Sequence, residues 1–197
     1  MPDRRFLATA LVLAFGLAGC GGGNAAPTTT SATTASTQAT TSTAPAKPAR
    51  PRDLDLTGVA ACELLSEQQR TTLGVDQPPK PGHSTTFDAD DCFFINRKEN
   101  TNFFLVPISK QGIERFGPGR VNGRVRDGNI SGYLAYEVWT ETTPGSQFCT
   151  VHVDVSDGQT LRSHYAEGGR KQPLGRTTLC TRAAQVAEAA LATLSKK

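Results

Sequence analysis

Four cysteines, Cys62, Cys92, Cys149 and Cys180, are spread over the stretch from Asp53 to Lys197 and constrain its fold more than any other feature. None forms a C-x-x-C pair, the spacing that marks a zinc knuckle or a redox dithiol. An even number of well-separated cysteines in an exported chain reads as two structural disulfides, with three possible pairings. Such a domain closes two long loops covalently and leaves no thiol over as a nucleophile.

Whether the chain is exported is answered at its N-terminus. Arg4 and Arg5 precede an apolar stretch from Phe6 to about Leu17, followed by the small residues Ala18 and Gly19 and then by Cys20. This is the layout of a secretory signal, over residues 1–19. The apolar stretch is about a dozen residues long, whereas a bilayer-spanning helix takes about 20. Leu17-Ala18-Gly19-Cys20 resembles the lipobox of bacterial lipoproteins. That resemblance implies cleavage before Cys20, a diacylglyceryl group on its thiol and acylation of its new amino terminus. Two or three long acyl chains, at roughly 0.8 kcal/mol per buried methylene, hold a protein stably on a membrane. The expected location is therefore the extracytoplasmic face of the cell membrane, with membrane lipid as the partner of Cys20.

Residues 20–52 form a tether. From Gly21 onward they are mostly Thr, Ala, Ser, Pro and Gly, with no aromatic residue, no Leu, Ile or Val, and no charge before Lys47. Such a segment cannot bury enough apolar surface to offset its ordering entropy. As a flexible coil of some 32 residues its reach is about 30 Å. Its Thr and Ser residues, with Pro interspersed, also suit O-glycosylation.

Residues 53–197 are expected to fold as one domain. The net charge of +3 is misleading for this part, since Arg4, Arg5, Lys47, Arg50 and Arg52 precede it against only Asp3. The remaining 16 basic and 17 acidic side chains leave it near −1. A nucleic-acid partner is disfavoured on that ground.

Within the domain, Ser66 and Gln69 have the spacing of a capping box, with Gly74 as a stop, which predicts a short N-terminal helix just after Cys62. Near the other end, Cys180, Ala183, Ala187, Ala190, Leu191 and Leu194 fall on one stripe of a helix. Strand-like runs begin at Cys92, Asn102, Gly132, Cys149 and Gln159. The run from Asn102 is apolar on both faces and is expected inside the sheet. Pro78, Pro79, Pro81 and Gly82 predict a loop. The expectation is an α+β domain: an antiparallel sheet packed by N-terminal and C-terminal helices. Because Cys62 and Cys180 are both helix-associated, and Cys92 and Cys149 both open strands, the expected bridges are Cys62–Cys180 and Cys92–Cys149.

The last two strands allow a finer prediction. A three-residue loop at Ser156-Asp157-Gly158, with Gly158 left-handed, sets Val153 opposite Leu161 and Cys149 opposite Tyr165. The same register gathers His152, Asp154, Arg162 and His164 on the other face. Two imidazoles and a carboxylate there suit zinc binding or acid–base chemistry, against the simpler reading of a polar, half-exposed strand pair.

Several of these spacings together resemble an actinobacterial lipoprotein family known only as domain of unknown function 3558. The matching features are Cys62-Glu63-Leu64-Leu65-Ser66 running to Leu73-Gly74, Cys92, Gly132 to Ala135, Cys149 with Asp157-Gly158, and Cys180 at the head of an Ala-rich helix. Phe94 stands where the family usually has tryptophan. The resemblance implies fold and location and transfers no catalytic residue.

Other motifs argue against particular chemistries. "GNISGY" around Ser131 is not a nucleophile elbow, and "RFGPGRVNGRVR" has neither P-loop nor dinucleotide spacing. The latter collects Arg115, Arg120, Arg124 and Arg126, which suits anionic headgroups or polymers or a solvated loop. No motif calls for a cofactor. The expected function is a monomeric, non-enzymatic envelope module binding an unidentified envelope component or protein. Its alternatives are an enzyme or metal protein using the His152, Asp154, Arg162 and His164 face, or a carrier with an apolar cavity between sheet and helices.

Overall fold

The computed structural model describes residues 48–140 and 147–197. The expected signal peptide, Cys20 and most of the expected tether lie outside the described residues. The described residues form one compact unit. Among the described residues, no helix is long and apolar enough to cross a membrane.

A seven-stranded antiparallel sheet carries the fold. In chain order its strands are β1 (Lys80–Ser84), β2 (Ala89–Asn96), β3 (Thr101–Ile108), β4 (Arg124–Ile130), β5 (Tyr133–Trp139), β6 (Phe148–Ser156) and β7 (Gln159–Glu167). Across the sheet the order is β1-β2-β3-β7-β6-β5-β4. Two meanders, β1-β2-β3 and β4-β5-β6-β7, are thus joined into one sheet by the pairing of β3 with β7. Val153 pairs with Leu161 and Cys149 with Tyr165, as the burial pattern predicts. Gly158 is left-handed at φ 70°, and a register irregularity between Asp154 and Ser156 absorbs the odd residue.

One face of the sheet is closed by the C-terminal helix α2 (Arg176–Leu194), which packs on β6 and β7. Its stripe of Cys180, Ala183, Ala187, Ala190, Leu191 and Leu194 is buried as expected, together with Leu179 and Val186. Alanines along the stripe let the helix lie close to the sheet. Beneath it sit Phe94, Phe103, Leu105, Val151, Val153 and Leu161, all fully buried, with Phe94 and Phe103 stacked at 4.8 Å.

The predicted N-terminal helix is α1 (Glu67–Thr72), and the capping box of Ser66 and Gln69 is formed. It spans under two turns and buries no residue, so it is not a packing layer. The 3-10 turn before it, Ala61–Leu64, packs against β2, β3 and α2 instead. The Gln69 side chain then links the elements, donating to the Ala189 carbonyl at 2.7 Å.

Two strands lie where loops were expected. β1 contains Pro81 and Gly82, and β4 is rich in charge. Both are edge strands, where proline, glycine and charge are tolerated because one side of the backbone ladder stays unpaired.

The disulfides are Cys62–Cys92 and Cys149–Cys180, with Cα atoms 5.0 and 4.9 Å apart. The expected Cys62–Cys180 and Cys92–Cys149 bridges are therefore wrong. Strand order supplies the reason: β3 and β7 separate β2 from β6, so Cys92 and Cys149 are three strand spacings apart, roughly 14 Å. A disulfide needs Cα atoms within about 7 Å. Each bridge instead staples a covering element to the strand beneath it, the 61–64 turn to β2 and α2 to β6. Non-reducing proteolysis with mass spectrometry should recover these two pairs. Replacing both Cys149 and Cys180 by Ala should lower stability by about 3 to 4 kcal/mol for a loop of this length, measured by urea unfolding.

Candidate functional site

The opposite face of the sheet has a different chemistry. Alternation along β6 and β7 puts Thr150, His152, Asp154, Thr160, Arg162 and His164 on it, and pairing sets His152 beside Arg162 and Thr150 beside His164. The four side chains singled out in the sequence do share a face. They do not share one site, and the face is not simply washed by solvent.

Half of it is covered by the segment between β3 and β4. A 3-10 turn, Ile113–Phe116, drops two apolar side chains onto the sheet, and both are buried. The Phe116 ring lies on His152, with centroids 3.9 Å apart and planes within 10°. Gly117 follows because Tyr136 of β5 crosses there; a Cβ would sit 3.3 Å from its ring. Phe87, from the turn between β1 and β2, meets Phe116 edge-on at 5.9 Å and receives the Arg162 guanidinium over its face at 5.2 Å.

These groups enclose a pocket of about 260 Å³. His152, Arg162 and Thr150 contribute from the sheet, Phe87 and Phe116 from the covering turns, and Arg115 and Arg120 from the covering segment. His152 is 4% exposed, and its Nδ1 has no hydrogen-bond partner among the described residues. Burial, with Arg162 and His164 adding to it, holds its pKa well below the ordinary histidine value, so the ring is neutral at pH 7. Burial also lowers Arg162 to about 10 against the opposing field of Asp91. The same desolvation raises the Asp91 carboxyl.

His164 is separate from this pocket. Its Nδ1 is 2.8 Å from Thr150 Oγ1, and its ring lies between Phe104 at 6.1 Å and Phe148 at 4.9 Å. Desolvation and Arg162 bring its pKa down to about 3. With Phe93 stacked on Phe104 at 4.5 Å, these side chains make a half-buried aromatic row across β2, β3, β7 and β6.

Asp154 lies at the far end of the face. It is fully buried and accepts from Arg50 Nη1 at 3.1 Å, while the same guanidinium reaches Asp53 and Asp157 at 2.8 Å each. Arg50 belongs by composition to the tether, yet it is fastened to the domain by three carboxylates. Among the described residues, the one group of three His, Cys, Asp or Glu ligand atoms within 4.8 Å of one another is Glu137, Cys149 and Cys180. Both of those sulfurs are in a disulfide and are not free to ligate. His152, Asp154 and His164 form no such group.

The Arg-Gly segment is divided by the structure. Arg115 and Arg120 line the pocket, whereas Arg126 on β4 pairs with Glu137 of β5, Nε to carboxylate 3.1 Å. Sequence reasoning placed these arginines and the histidine face in separate features. The signal joining them was Ile113 with Phe116, two apolar residues three apart in an otherwise polar stretch.

A family model described as "Protein of unknown function (DUF3558)" matches residues 15–193. The chain belongs to that family. No curated protein and no solved structure matches it.

Both buried histidines are neutral when folded and take up protons when unfolded, so their folded pKa values lie below the unfolded ones. Stability should be complete above about pH 6.5 and fall below it, by up to about 1.4 kcal/mol per pH unit for each histidine. Urea unfolding at pH 7 and pH 5 checks this, and His164→Phe should remove about half of the difference.

Proposed function

We propose that this protein is an exported, lipid-anchored module of the cell envelope. Cys20 carries the acyl chains, the Thr-, Ala-, Ser- and Pro-rich sequence that follows it, within residues 20–52, acts as the spacer, and the folded domain binds rather than catalyses. The anchor rests on the Leu17-Ala18-Gly19-Cys20 sequence immediately after an apolar stretch. The actinobacterial lipoprotein character of the family, which the sequence resemblance implies, fits the same reading.

The observation that carries the binding role is the contrast between the two sheet faces. One is covered by α2, with its apolar side chains buried and the helix fastened to β6 by a disulfide. The other keeps a pocket of arginines and aromatic rings and a half-buried aromatic row. Concave sites lined by aromatic walls with a few polar groups are the usual form of ligand sites. Histidine nitrogens that do not converge, one of them engaged by Thr150, favour recognition over metal or acid–base chemistry.

The anchor is tested by detergent partition of the chain expressed in a lipoprotein-processing bacterial host. Wild type should enter the detergent phase with a mass showing acylation, and Cys20→Ser should move it to the aqueous phase. An unacylated wild type in the aqueous phase would overturn the reading.

A further inference from the structure

We propose that the pocket between the sheet and the 113–120 segment binds a phosphate ester, with Arg162 at its floor and Arg115 and Arg120 at its rim. This deepens the binding-module reading by naming the chemistry it recognises.

The case begins with charge. The pocket brings three guanidinium groups from two separate parts of the chain to one cavity of about 260 Å³, and the wall offers no carboxylate. Arg162 is half-buried and, among the described residues, has no ion-pair contact. What opposes its desolvation is the Phe87 ring face and the more distant field of Asp91. A cation withdrawn from water without a hydrogen-bonded counter-charge is costly, and an anion seated on it removes that cost. Guanidinium groups present planar forks that match phosphate oxygens in pairs, and several arginines around one cavity suit a group with two or more such oxygens.

A second observation points to the same place independently of charge. His152 is more than nine-tenths buried and lines the pocket, yet its Nδ1 is unsatisfied. A buried polar atom without a partner is the exception in folded proteins. A ligand oxygen that reaches this atom satisfies it when Nδ1 carries the proton, and Thr150 and Asn122 offer further polar atoms in the pocket lining. Phe87, Phe116 and Val121 form apolar wall beside them, which fits the carbon part of an ester better than a bare ion.

Phosphate esters reach such a site either as lipid headgroups or as soluble metabolites, so the test has two arms. The Cys20→Ser chain, full-length otherwise, removes the acyl anchor, so that loss of anchoring and loss of ligand binding are read separately. In one arm, sn-glycerol 3-phosphate is titrated and followed by calorimetry and by the NMR signals of the Arg and His side chains. In the other, the chain is sedimented with vesicles of phosphatidylglycerol or of phosphatidylcholine.

Saturable binding with shifts centred on His152 and Arg162 is expected. Arg115→Gln with Arg120→Gln, both exposed and remote from the α2 core, should weaken it by about tenfold or more with an unchanged unfolding curve. Arg162→Gln should abolish it. Binding to the soluble ester identifies a metabolite site. Sedimentation with vesicles that the rim variants abolish, without binding of the soluble ester, identifies a headgroup site. No saturable binding in either arm, or binding that the rim variants leave unchanged, would overturn the proposal.

Discussion

The register of the β6–β7 hairpin is the constraint on which the rest of the structure depends. Both strands lie inside the sheet, between β3 and β5, so every other strand is positioned through them. Side chains alternate faces with period 2, and a slip of one residue in either strand exchanges the two sets. In the observed register Cys149, Val151, Val153, Leu161 and Tyr165 face α2, while His152, Asp154, Arg162 and His164 face away. Slippage would put a charged guanidinium into the apolar layer and break the alignment of Cys149 with Cys180. Gly158 makes the register affordable, because its positive φ turns the chain without a Cβ clash.

Once the register is set, the two faces follow different rules. Beneath α2 the packing is apolar, dense and covalently fastened, and its alanine stripe admits the helix at short range. On the other side the sheet presents groups that water would solvate better. The covering segment removes part of that water through Ile113 and Phe116. Histidines respond by staying neutral, whereas an arginine cannot discharge at physiological pH. The chain therefore keeps a half-buried cation on its less tightly covered face, and the stable α2 face carries that burden.

How much of this was legible in the sequence depended on the range of the information needed. The capping box at Ser66 and Gln69, the buried stripe from Cys180 to Leu194 and the pairing of Val153 with Leu161 are local patterns, and each reads directly. Pro81 and Gly82 obscured β1 because the residues that suit an edge strand are also those that suit a loop. The disulfide pairing needed the strand order, which local pattern does not contain: matching helix with helix and strand with strand overlooked that helices lie on strands. The candidate pocket was half legible. His152 and Arg162 were placed together, but the approach of Arg115, Arg120 and Phe116 is a tertiary event announced only by two apolar residues in a polar segment.

Because the faces, the bridges and the pocket all descend from one register, that register is the most direct thing to measure. Nuclear Overhauser contacts across the hairpin in isotopically labelled protein report it residue by residue. The account predicts contacts joining Cys149 to Tyr165, Val151 to Ser163 and Val153 to Leu161. Contacts joining Val153 to Arg162 and Val151 to His164 as the facing pairs would contradict it.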